Sequence, residues 1–181
     1  MRLLDREIRK YNELLFVDGY NIINSWNSLK NTSMDELEES RRTLIDILME
    51  FKHYTHEGVV LVFDSYNVKT DRQVIMEEKL LIVYTKEFET ADHFIERSVE
   101  KYGRKKKIRV ATSDRLEQDI ILGKGATRIS AKELEYEIEN FYREVKKIQA
   151  VEKIKNKRHL GSLKQDSLKA LEKYKEKMLK K

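Results

Sequence analysis

The sequence predicts an α/β domain on a mostly parallel sheet, followed by a helical C-terminal extension. Three observations predict it. Short, nearly continuous apolar runs suit strands buried on both faces. Segments with apolar residues at 3,4 spacing separate those runs and suit helices. Carboxylates follow the runs, at the ends where open parallel sheets bind ligands.

The runs are Leu14-Leu15-Phe16-Val17, Val59-Val60-Leu61-Val62-Phe63, Leu80-Leu81-Ile82-Val83-Tyr84 and Ile108-Arg109-Val110-Ala111. Ala126-Thr127-Arg128-Ile129 is a weaker fifth. Leu37, Arg41, Leu44, Ile45, Leu48 and Phe51 mark a helix before Gly58. Ala91, Ile95, Val99 and Tyr102 mark a second, stopped by Gly103, and Leu116, Ile120 and Ile121 a third, ending at Gly123. Leu134, Ile138, Phe141, Val145 and Ile148 form a long stripe running toward His159. Gly161 breaks it, and a last helix starts near Ser162 or Ser167. Residues 65–79 are polar and weakly patterned, a loop holding at most a short strand. No repeat is visible.

Of the 181 residues, 40% are hydrophobic, enough for a core, and 38% are charged, against a usual share of roughly 25%. With no cysteine, disulfide scaffolds, thiolate zinc sites and cysteine nucleophiles are excluded. No apolar run approaches the ~18 residues of a membrane helix, and the start, MRLLDREIRK, lacks a signal peptide's apolar stretch. The expectation is a soluble, cytoplasmic protein. Charge is uneven: residues 1–140 carry a net −4 and residues 141–181 a net +9, within an overall +5. A basic tail on an acidic body suits a polyanionic partner; a solvated lysine-rich helix explains the same count.

The chemistry gathers at the run ends. Asp18 closes the first run and is followed by Gly19-Tyr20-Asn21; Asp64 follows the second. The third leads to Glu89 and Asp92, spaced i,i+3 on one face of a helix's first turn, and the fourth ends in Thr112-Ser113-Asp114. Converging carboxylates repel and oppose each other's ionisation, which a hard dication relieves. Oxygen ligands without cysteine or patterned histidine favour Mg²⁺ or Mn²⁺ over Zn²⁺. Water on such an ion is a nucleophile at accessible pH, and the ion neutralises phosphate charge. An acidic metal site joined to a basic tail points to phosphodiester hydrolysis in a nucleic acid.

Each residue also has a plainer reading. Asp18-Gly19 is a turn signal, and Asn21 suits an Asx turn or a cap. Asp92 complements a helix dipole. Asp114 with Glu117 resembles a capping box, and Asp64 a strand-end turn residue. The joint placement argues for a site where single residues do not. No GxGxxG, P-loop or GxSxG pattern competes, so no nucleotide cofactor is expected.

LLFVDGYNIINSW (14–26), VLVFDS (60–65), FETADHFIE (88–96) and VATSDRLEQDIILGKGATRISAKELEYEI (110–138) together resemble the YacP-like branch of the NYN-domain proteins, within the PIN-like nuclease superfamily. The resemblance covers about residues 14–140, with 1–13 an N-terminal extension and 141–181 a basic helical one. It implies a Rossmann-like, three-layer PIN/NYN fold and a Mg²⁺-dependent endoribonuclease. It also implies an acidic metal core of Asp18, Asp92 and Asp114. Asn21 would position metal, water or phosphate; Asp64 and Glu89 would be further members, and Ser113 a hydrogen-bonding one. The family includes an endoribonuclease acting on mRNA with the translating ribosome, so mRNA and the ribosome are the partners it implies here.

Lys69, Lys86, Arg104, Lys105, Lys106, Lys107 and Arg128 are candidate phosphate contacts around the sheet's rim, and the lysines of 146–181 suit ribosomal RNA. Lys105-Lys106-Lys107 reads equally as a solvated turn. Arg41, on its helix's apolar stripe, is either an ion-pair partner or a contact to the acidic crevice. Two other functions use the same residues: an RNA- or ribosome-binding module without turnover, and a small-molecule phosphohydrolase, which the lysine-rich tail argues against.

Overall fold

Strand after strand, the apolar runs become the centre of one six-stranded sheet. A computed structural model describes residues 2–30, 34–65 and 71–147. The helix anticipated beyond 147, the break at Gly161, the last helix and Lys69 lie outside those residues. Two compact units divide the chain, Met1–Ile138 and Glu139–Lys181.

The first unit runs α1 (Arg2–Ile8), β1 (Glu13–Asp18), α2 (Gly19–Ser25), α3 (Met34–Tyr54), β2 (Gly58–Phe63), β3 (Gln73–Glu77), β4 (Leu80–Tyr84), α4 (Ala91–Tyr102), β5 (Lys107–Ala111), α5 (Arg115–Gly123) and β6 (Thr127–Ile129). A helix, α6, begins at 131 and is described to 147. The strand order is β3-β4-β2-β1-β5-β6. Every pairing is parallel except that of β3 with β4.

β2 is buried at all six positions, which is why its sequence is a continuous β-branched and apolar run. β3 differs. It is an edge strand joined to β4 by a two-residue hairpin, and its exposure alternates along Gln73–Glu77. Polar residues on its open side hide it in the sequence, while Val74 and Met76 pack inward.

Alternate strand residues face opposite layers. Leu14, Phe16, Val60, Val62, Leu81, Val83, Ile108 and Val110 cluster with Leu4 and Ile8 of α1, Phe94, Ile95 and Val99 of α4, and Ile121 of α5. Leu15, Val17, Leu61 and Ile82 are buried on the other face, where α2 and α3 contact the sheet. The N-terminal residues, set apart on sequence as an extension, thus supply a core helix. Asp5 receives hydrogen bonds from Lys101 and from Tyr102, tying α1 to the end of α4.

Caps mark the helix starts. Asp18 caps α2 and Thr90 caps α4. Ser130 and Glu133 form a reciprocal capping box on α6, at 2.7 and 3.2 Å. Buried Trp26 donates its indole N–H to Ala131 O at 2.8 Å, tying the end of α2 to the start of α6. Gly125 takes φ +81° in the α5–β6 turn, a conformation that favours glycine. In the second unit the described residues 139–147 are helical, and Lys147 pairs with Glu144 at 2.7 Å. No helix among the described residues is long and apolar enough to cross a membrane.

Candidate active site

Register makes the strand ends level. Asp18 lies beside Val62, Val17 beside Ala111 and Phe63 beside Tyr84. The residues that follow therefore emerge along one edge: Asp18 and α2 from β1, Asp64 from β2, Thr85 from β4, and Thr112 to Asp114 from β5. β1 and β5 flank the point where the chain's winding changes direction, the place where open α/β sheets take ligands.

The centre of the edge is a bonded chain. Asp18 is buried, and its carboxylate accepts the Asn21 backbone N–H at 3.1 Å and the Asn21 Nδ2 at 2.9 Å. Ser113 Oγ donates to Asn21 Oδ1 at 2.6 Å, bridging the β5 end to α2. That contact orients the carboxamide so that its N–H faces Asp18. On its other side Asp18 is within hydrogen-bonding reach of Asp92, from the first turn of α4. Burial, and then the Asp92 carboxylate, push the Asp18 carboxyl up to about 6 against the Asn21 hydrogen bonds. Asp64 accepts the Ala91 backbone N–H at the start of α4. Burial raises its pKa as well, and the Asp18 charge adds to the rise.

Gly19 allows this packing. A Cβ there would overlap the ring of Phe63, which is fully buried between Tyr20, at 5.2 Å, and Tyr84, at 5.7 Å. Beside these rings, Arg41 pairs with Glu38 on its own helix and bonds to Tyr20, which answers the question its position posed.

Two other predicted members, Glu89 and Asp114, are held differently. Glu89 precedes the cap Thr90, so it is outside the helix and not on a shared face with Asp92. Its buried carboxylate is clamped by Arg72, and by Arg97 at 3.0 Å. Burial opposes ionisation there, but the arginines outweigh it and hold Glu89 below the usual carboxylate range. Asp114 is exposed just before α5, with its N–H donated to Thr112 Oγ1 at 3.1 Å. Among the described residues no three His, Cys, Asp or Glu side chains are grouped to hold a metal ion. The carboxylates that interact are Asp18 with Asp92 and Asp18 with Asp64, while Asp114 follows β5 on the same edge.

Strand polarity also sorts the basic candidates. Arg104, Lys105 and Lys106 precede β5 and Lys107 opens it, at the sheet edge opposite the carboxylates. Lys107 pairs with Glu13 at 3.0 Å, and Lys106 donates to Tyr11 O. Lys86 is exposed on the β4–α4 loop, on the acidic edge, and Arg128 lies in β6. Sequence reasoning missed Lys30 and Lys132. They line a cavity of about 510 Å³ together with Ser25, Ser113 and Ser130. Solitary lysines carry no pattern, and only the docking of α2 beside α6 brings these two together.

The donors fit a hard dication. They are all oxygens, and the buried Asp18 carboxyl, raised by its surroundings, ionises more readily once a cation sits beside it. Asp18 and Asp92 would hold the ion directly, with Asp64 and Asn21 next to them.

A mostly parallel sheet gathers carboxylates beyond its carboxyl edge, and the family match makes this an α/β domain of nuclease type. The chain belongs to the YacP-like NYN domain family, whose model matches residues 15–176. It is 38% identical over 165 residues to the uncharacterized protein YacP of Bacillus subtilis (strain 168), covering 90% of this chain and 96% of that protein. The crystal structure of Rae1 (YacP) from Bacillus subtilis matches with a TM-score of 0.66, over 90% of this chain and 94% of that one. A single-residue mutant of Rae1 gives 0.65, over 75% and 80%.

Proposed function

We propose that this chain is a Mg²⁺- or Mn²⁺-dependent endoribonuclease that hydrolyses phosphodiester bonds in RNA, acting in the cytoplasm on mRNA carried by the translating ribosome. One observation carries the reading: buried Asp18 in contact with Asp92, in a domain of nuclease type. A bound dication supplies Lewis acidity toward a phosphoryl oxygen and neutralises charge there. The protein's own groups do the rest. Asp18 and Asp92 hold the ion, and the backbone N–H of Asn21 fixes the Asp18 carboxylate. Ser113 fixes the Asn21 carboxamide. Lys30 and Lys132, in the cavity that shares Ser113, take phosphates beside the bond being cut, contacts that place RNA without reading its bases. The net +9 of residues 141–181 supplies salt-sensitive attraction to ribosomal RNA.

The test is cleavage of an mRNA on translating ribosomes, and of the same RNA free, with and without Mg²⁺ or Mn²⁺. Wild type cuts and Asp92→Asn, still folded by circular dichroism, does not. Cutting by Asp92→Asn at the wild-type rate refutes the site. That no three His, Cys, Asp or Glu side chains among the described residues are grouped to hold a metal ion favours a second reading, an RNA-binding module without turnover; metal-independent binding with no cutting on ribosomes would establish it.

A further inference from the structure

We infer that the ring of Phe88 is a stacking platform for a nucleobase of single-stranded RNA beside the carboxylate pair, an inference that rests on the ribonuclease reading. Two oddities meet at this residue. Phe88 is 96% exposed, the highest among the exposed large apolar side chains of the described residues, followed by Tyr136 at 62%. Its backbone is left-handed, with φ +61°, a costly conformation for a bulky side chain. The other positive-φ non-glycine residue described, Glu78, is in the β3–β4 hairpin, where the turn itself demands that conformation. Phe88 is the third residue of the turn over 86–89, which Glu89 N–H closes on Lys86 O; a positive φ there favours glycine, and folding gains nothing from placing an aromatic ring in water instead.

The loop carrying it is held from several sides. Glu89 N–H donates to Lys86 O at 3.0 Å, and the Glu89 carboxylate is clamped by Arg72 and Arg97. Thr85 N–H donates to Phe63 O at 3.0 Å, while Thr85 Oγ1 accepts Ser65 N–H at 3.1 Å. Two residues after Glu89, the Ala91 N–H binds Asp64, and Asp92 reaches Asp18. The loop presenting Phe88 is thus anchored to the acidic edge.

The surroundings select the partner. Lys86 and Thr90, on either side along the loop, are exposed and polar, and Glu87 is partly exposed. A lone ring between polar neighbours is too small for an apolar protein surface, but its π-face matches a base, with Lys86 near enough in sequence for the attached phosphate. Stacking also supplies affinity independent of charge, useful where the carboxylates repel the RNA backbone.

The experiment uses the full chain, a short single-stranded oligoribonucleotide containing 2-aminopurine, and the variants Phe88→Ala, Phe88→Leu and Phe88→Trp. Binding is read in EDTA and cleavage in Mn²⁺. Loss of stacking should weaken binding and raise KM roughly 5- to 150-fold in the Ala and Leu variants, leaving kcat within about twofold and the salt slope of binding unchanged. Phe88→Trp should retain wild-type binding, and its added fluorescence, over that of buried Trp26, should be quenched by the RNA. A purely structural role would move melting temperature and kcat without separating Leu from Trp. Leu rescuing as well as Trp, or Ala binding within twofold of wild type, overturns the platform while wild-type cutting leaves the ribonuclease reading standing. A wild-type chain that neither binds nor cuts RNA overturns both.

Discussion

Replacing Asp18 by Asn should stabilise the metal-free protein near neutral pH while abolishing cleavage. The magnitude follows from the carboxyl's surroundings. Burial, with Asp92 adjoining, raises Asp18 from 3.8 to about 6. Each tenfold change in proton affinity corresponds to about 1.4 kcal/mol, so ionising Asp18 in the folded chain costs roughly 3 kcal/mol more than in the unfolded chain. The folded state holds the proton more tightly. Its contribution is therefore fully present below pH 3.8, is lost as pH rises to about 6, and is flat above. Asn has no proton to lose. It keeps an oxygen for the Asn21 N–H, as a good cap, and its amide can donate to Asp92. It no longer accepts from Asn21 Nδ2, a loss of about 1 kcal/mol that offsets part of the gain. Urea unfolding in EDTA from pH 4.5 to 7.5 should show the Asp18→Asn variant gaining on wild type by roughly 2 kcal/mol as pH rises. For a domain of this size that is about 4–8 °C in melting temperature. Millimolar Mg²⁺ should raise the wild-type melting temperature and leave the variant's unchanged. A stability difference that does not change with pH would refute the buried, proton-sharing pair on which the site rests.

Three further predictions concern how the edge is built. Glu89→Gln should destabilise by roughly 2–4 kcal/mol, because Arg72 is left largely buried without its carboxylate. Glu89 is held below its ordinary 4.5, so its contribution is present above pH 4.5 and lost as pH falls through the lowered value; the gap to wild type should close in acid, and a gap independent of pH would contradict the clamp. Gly19→Ala should cost about 1–3 kcal/mol through overlap with Phe63, and adding Phe63→Leu should recover part of it in a double-mutant cycle; strictly additive losses would break the proposed contact. Ile8→Ala, at a fully buried position of α1, should lower stability by about 2–5 kcal/mol, read as the urea midpoint, and an unchanged midpoint would mean that α1 is not docked.

What could be read in the sequence follows from where the information resides. β1, β2, β4 and β5 are legible because strands buried on both faces must be apolar at successive positions. β3 is not, because an edge strand needs only alternate ones. α1 and α2 are seven residues each, too short to show a period; α1 becomes a core element only through contacts with α4 nearly a hundred residues away, such as Asp5 with Lys101. The acidic edge was visible because a strand's carboxyl end is visible, and Asp18, Asp64 and Asp92 follow that rule. Glu89 misled because its spacing to Asp92 presumes a helix already begun, whereas Thr90 caps α4 one residue later. The run at 104–107 misled for the converse reason: its residues lead into and open β5, so the same polarity that sends Ser113 and Asp114 to the acidic edge sends these basic residues to the opposite one. Five strand residues at about 3.3 Å each separate the two edges, a distance no lysine spans from that start to a phosphate held at Asp18. Direction along the strand, and not charge alone, therefore decides which cations reach the reactive side, where Lys86 follows β4 and Lys30 and Lys132 share a cavity with Ser113.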